Sequence, residues 1–182
     1  KLSQVNNPDW KTVAFDEASG KVVVPNGSIG FRWGQTDGKW NLEEKEAGGG
    51  EAKLCLSLID RRDDVAPVAF PYFGGISTEN FSHNDQGNDI LLRNVPVKRL
   101  QLAEGETLAV SVFDLLVANY GIDRGLGGGN VASAYEQDVP YTPAWQEAIT
   151  GVKSADVITV ARQFADNADK TQGKSMVIIG AA

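Results

Sequence analysis

The chain has 182 residues, a net charge of −7 and only one cysteine, Cys55, and one histidine, His83. That balance argues against a nucleic-acid surface, which needs clustered Lys and Arg, and it allows neither an internal disulfide nor a Cys/His zinc or iron–sulfur site built from these residues alone. No apolar run approaches the roughly 18 residues of a membrane-spanning helix, and no signal-peptide pattern is present.

Residues 1–10 are polar, with a turn at Asn7-Pro8. Thr12-Val13-Ala14-Phe15 and Lys21-Val22-Val23-Val24 flank Glu17-Ala18-Ser19-Gly20 and are followed by Pro25-Asn26-Gly27, which predicts a small hairpin. Ile29, Phe31 and Trp33 alternate with Gly30 and Arg32, the pattern of a strand with one apolar face. Arg32 is placed to stack on an aromatic ring or to meet an anion. Residues 41–53 are charged and contain Gly48-Gly49-Gly50, an exposed loop without the strand and helix that flank a phosphate-binding loop. Leu54 to Ile59 predicts a strand in which Cys55 is a small buried hydrophobe. A Cys55–His83 catalytic pair stays formally open, because such pairs meet in space rather than in sequence. Asp60 to Asp64 reads as a solvated turn with local ion pairs. Val68 to Gly75 reads as apolar and irregular, with Pro71 interrupting any ladder.

Residues 77–89 form a polar loop around His83, and Ile90 to Val97 resumes extended chain. Leu100-Gln101-Leu102 and Leu108-Ala109-Val110 flank Glu104-Gly105-Glu106, so a hairpin is expected. Val112 to Tyr120 switches to the helical period, with Val112, Leu115, Leu116 and Asn119 on one face and Gly121 at the end. Gly125 to Asn130 is expected to be a flexible connector. Thr142 caps a short helix that reaches Ile149, with Pro143 at its first position.

The longest periodic stretch follows. Val157, Ile158, Val160, Ala161, Phe164, Ala165 and Ala168 recur at the helical period and predict one broad buried face, with Phe164 between helix and sheet. Ser154 is the expected cap, and Asp156 stands in the first turn, where the helix dipole favours negative charge. Gly173 then leads to Met176-Val177-Ile178-Ile179, the continuous apolar run of a strand covered on both faces, as in a parallel sheet. A doubly wound sheet presents backbone to its ligand just beyond such a strand, which makes Gly180 and Ala181 the candidate ligand-facing residues.

Several stretches, taken together and in order, have the wording of a known family. They are Val23 to Gly34, Lys39 to Glu43, Phe70 to Gly75, Pro96 to Ala103 and Ala118 to Gly121. Tyr141 to Trp145, Ile149 to Val152, Ala161-Arg162, Phe164 to Lys170 and Gly173 to Met176 complete the set. On these residues the chain resembles the catalytic (alpha) subunits of membrane-bound respiratory nitrate reductases, members of the molybdenum bis-molybdopterin-guanine-dinucleotide (DMSO reductase) oxidoreductases. None of the matching stretches is a metal-binding motif.

The resemblance implies an α/β fragment of a multidomain molybdopterin oxidoreductase, with small β-hairpins and irregular loops followed by a Rossmann-like helix–strand unit. Residues 1–105 would be a β-rich and loop-rich region, and residues 106–182 a partial α/β cofactor-binding domain truncated at its C-terminal end. A first residue other than Met and a stop just after a strand fit an internal segment of a longer polypeptide. In the full subunit, nitrate would give up an oxygen atom at molybdenum and leave as nitrite, with electrons from quinol passing through iron–sulfur clusters. The 4Fe-4S ligands, one His and three Cys, and the Asp that ligates molybdenum would lie in earlier segments, so catalytic and metal-ligating residues are expected to be absent here. Gly180 and Ala181 become cofactor-facing residues, although Ala182 stands where the family pattern has a second glycine. Implied partners are an iron–sulfur beta subunit and a membrane cytochrome b gamma subunit, with attachment through them to the cytoplasmic face of the membrane. Related readings are a nitrite oxidoreductase, a chlorate reductase, or a non-catalytic binding module on the same scaffold.

Overall fold

A computed structural model describes residues 13–25, 45–46, 48–71, 90–171, 173–178 and 180. The expected strand around Phe31, Arg32, the loop around His83, Ile179 and Ala181 lie outside the described residues. The chain divides into two compact units, one of Lys1–Val68 with Asn94–Ala118 and one of Ala69–Arg93 with Asn119–Ala182. The architecture is mixed, with small antiparallel hairpins and three helices among the described residues. Among those residues no helix is long and apolar enough to cross a membrane.

The first hairpin forms as its turn chemistry predicts. Strands β1 (Ala14–Asp16) and β2 (Lys21–Val23) pair antiparallel, Ala14 against Val23 and Asp16 against Lys21. The turn closes through Gly20, whose N–H donates to the Asp16 carbonyl at 2.9 Å. Asp16 anchors the turn from inside. Its carboxylate accepts from the backbone N–H groups of Lys53 at 2.7 Å, Ser19 at 2.8 Å and Ala18 at 3.2 Å. These bonds satisfy a buried charge that would otherwise be costly.

Strand β3 (Leu54–Cys55) adds to β1 on its other side, giving the order β2-β1-β3. It is shorter than the expected span to Ile59. The reason is a remote carboxylate: the Ser57 hydroxyl and the Leu58 N–H both donate to Asp114 at 2.7 Å, so the backbone turns from the ladder to a side chain. Cys55 is half-buried, and its thiol donates to the Ser57 carbonyl. Burial pushes that thiol above its usual pKa.

Strands β4 (Asp64–Pro71), β5 (Ile90–Leu102) and β6 (Gly105–Ala109) form a second sheet in that order. The β5–β6 hairpin turns where predicted, with Leu102 opposite Gly105 and a Gly105 φ of +123°. Two expectations fail here. Val68 to Pro71 is the end of a regular strand, with Pro71 as its last residue; among the described residues β4 is an edge, where proline is tolerated. Asp63 and Asp64 also pair at long range rather than locally. Lys98 reaches Asp63 at 2.7 Å, and Arg99 bridges Asp64 at 2.6 Å and Glu106 at 2.9 Å. Such exposed pairs fix register more than stability. The interior of β5 is carried by Val95 and Val97, both buried.

Helix α1 (Val112–Asn119) forms as its period predicts but with a different face inward. Asp114 and Ala118 are buried, whereas Val112 is 82% exposed and Leu116 half-exposed. Asp114 again decides this. Besides its bonds to Ser57 and Leu58 it accepts from the Ser111 hydroxyl at 2.8 Å, and that hydroxyl also caps the helix by accepting from the Asp114 N–H at 3.0 Å. A carboxylate with several donors turns its own side inward against the pull of the apolar residues.

Helix α2 (Pro143–Thr150) matches its sequence signals. Thr142 Oγ1 accepts from the Trp145 N–H at 3.1 Å, Pro143 opens the helix, and Gly151 closes it with φ +72°. Helix α3 (Ser154–Lys170) packs on α2 but is capped differently from the expectation. Ser154 is its first helical residue, and the Ser154 N–H is taken by the Glu147 carboxylate of α2 at 2.8 Å. That contact, first through the backbone N–H and then the hydroxyl of Ser154, holds the Glu147 carboxyl below the usual range. Asp156 and Lys170 stand at the ends the helix dipole favours.

The expected burial of α3 does not occur. No α3 residue is buried, and Phe164 is 41% exposed. Met176, Val177 and Ile178 are likewise 77%, 70% and 81% exposed, and the expected strand does not form. A strand requires a neighbour for its N–H and C=O groups and cover for its side chains. Among the described residues nothing pairs with this run or covers it.

Candidate functional site

The C-terminal segment containing Gly180 is positioned by side chains of α3. Gly173, with φ +92°, reverses the chain and donates its N–H to the Ala168 carbonyl at 2.7 Å. Asn167 then acts as a clasp: its Nδ2 donates to the Lys174 carbonyl at 3.0 Å and to Ser175 Oγ at 2.8 Å. Ser175 Oγ donates in turn to the Phe164 carbonyl at 3.0 Å. Thr171 Oγ1 donates to the Asn167 carbonyl at 2.5 Å and accepts from the Lys174 N–H at 3.1 Å. The chain is thereby folded back along the last turns of α3. Gly180 is exposed, and a Cβ built on it would meet nothing within 4 Å. Ala181 lies outside the described residues.

A second centre has no counterpart in the sequence expectations. Arg93, 1% exposed, directs its guanidinium to three backbone carbonyls. Nε donates to Gly129 at 2.9 Å, Nη1 to Asn119 at 2.8 Å and Nη2 to Asn130 at 2.9 Å. The expected flexible connector over Gly125 to Asn130 is therefore wrapped onto a fixed cation. Left-handed φ angles at Gly121, Gly125, Gly127, Gly128 and Asn130 make that wrap possible. The Gly129 N–H also donates to the Leu92 carbonyl at 2.9 Å, and the Ala132 N–H to Gly121 at 2.8 Å. The dense glycines were the one available signal, since positive φ at several neighbouring positions implies close backbone approach. Beyond the loop, Tyr141, with φ +77°, sits edge-on to Tyr120 and Trp145 with ring centroids 6.0 and 5.6 Å away.

Arg93 is committed to backbone carbonyls and holds a loop in shape. Among the described residues no group of three or more His, Cys, Asp or Glu side chains could hold a metal ion.

Comparison with known proteins gives the affiliation. No protein-family model matches the chain. The respiratory nitrate reductase 1 alpha chain of Escherichia coli is 56% identical over 99% of this chain, and the respiratory nitrate reductase 2 alpha chain of the same organism is 55% identical over 99%. The nitrate reductase alpha chain of Bacillus subtilis is 39% identical over 98%. This chain spans 14% of the length of each of these relatives. Identity at that level across almost every residue makes the chain a segment of the respiratory nitrate reductase alpha-chain family.

Proposed function

We propose that this chain works as scaffold within a catalytic subunit that reduces nitrate to nitrite, and that Gly180 and Ala181 form an edge of its molybdenum bis-molybdopterin-guanine-dinucleotide site. The observation that carries the reading is the 56% identity to an Escherichia coli respiratory nitrate reductase alpha chain over 99% of this chain. When bound, the cofactor supplies the oxygen-atom exchange and the electrons that nitrate reduction requires. The described residues do not fit the metal itself, because they offer no cluster of ligating side chains, and no chemical step is assigned to them. They do fit a backbone edge, since Gly180 has open space where a side chain would stand.

The role of this chain's own residues is positional. Glu147 joins α2 to the first turn of α3, and Asn167 and Ser175 then fix where the segment leading to Gly180 leaves the helix. In this reading residues 106–182 belong to the cofactor-binding domain and residues 1–105 to a β-rich region beside it. A 4Fe-4S cluster held elsewhere in the subunit, an iron–sulfur beta subunit and a cytochrome b gamma subunit would deliver electrons from quinol. Those partners would hold the assembly at the cytoplasmic face of the membrane.

The test is a segment exchange. This chain replaces the matching stretch of the Escherichia coli respiratory nitrate reductase 1 alpha chain, expressed with its own partner subunits. The chimaera is expected to reduce nitrate with reduced viologen as donor. A chimaera that folds and assembles but forms no nitrite would overturn the proposal.

A further inference from the structure

We draw no further inference here: the strongest candidate, the exposed apolar surface made by Val160 and Phe164 of α3 with Met176, Val177 and Ile178 after it, carries nothing because nothing in the structure shows what covers it.

Discussion

Gly128 runs so close to Arg93 that a Cβ on Gly128 would stand 2.7 Å from the Arg93 Cα. Its φ of +132° is also one that residues with a side chain rarely adopt. Gly128→Ala therefore combines backbone strain with a clash against backbone, and it should destabilise the chain by roughly 1–3 kcal/mol or more. Gly125 separates the two causes, since its φ is +72° but a Cβ there would meet nothing within 4 Å. Gly125→Ala should cost only about 1 kcal/mol, the strain alone. Denaturant unfolding of both variants checks the order. Equal losses, or a larger loss for Gly125→Ala, would mean that the Arg93 contact is not tight.

Asp16 gives the acid side of stability a definite shape. The Ser19 hydroxyl, followed by the Lys53 and Ser19 N–H groups, lowers its pKa from 3.8 to about 2. As pH falls through 3.8 the unfolded chain takes up a proton that the folded chain refuses until about 2, so the unfolded state gains relative to the folded one across that window. The contribution of Asp16 is thus complete above the unfolded pKa and is lost as pH falls through the folded one. Asp16→Asn should be less stable than the parent by a constant amount at neutral pH, and the difference should narrow between about pH 4 and pH 2. Glu17, Asp63, Asp64 and Glu147 are also held below their usual range, but they are common to both proteins and cancel in the comparison. A gap that widens in acid would contradict the Asp16 network.

The isolated chain should bind an apolar fluorescent dye, because Met176, Val177 and Ile178 are exposed together. Replacing Val177 and Ile178 by Ser should reduce that signal without loss of helix content. Phe164→Ala in the isolated chain should cost about 1–2 kcal/mol, below the 3–5 kcal/mol of a fully buried phenylalanine. Absence of dye binding, or a loss at Phe164 in the full buried range, would show these side chains to be covered.

Local signals are enough for the hairpins, for the end of α1 and for both ends of α2. The turns at Glu17 to Gly20 and Glu104-Gly105, the Thr142 cap with Pro143, and Gly121 at a left-handed φ all depend on neighbours in sequence. What escaped depends on partners far along the chain. Asp114 meets Leu58 across 56 residues, and that single pairing both shortens β3 and reverses the buried face of α1. Arg93 reaches its carbonyls across 26 to 37 residues, so nothing beside it in sequence announces a buried cation. The cap of α3 escapes for the same reason, since Glu147 belongs to the preceding helix. At the candidate site the amphipathic period of α3 and the apolar run after it are legible in the sequence. Their exposure here is expected of a segment whose sheet neighbours come from elsewhere, because burial is a property of what packs against them. Of the two proposed edge residues only Gly180 is described, and a Cβ on it would meet nothing within 4 Å.

Molybdenum content tests most directly whether Gly180 is a cofactor edge. In the chimaeric alpha chain, Gly180→Val fills the open space beside the backbone while Phe164→Ala perturbs only packing. Molybdenum per folded protein, measured by elemental analysis after gel filtration, should fall several-fold in Gly180→Val and stay near the parent value in Phe164→Ala. Full molybdenum and full nitrate reduction in Gly180→Val would contradict the assignment and leave Gly180 as only the end of a segment.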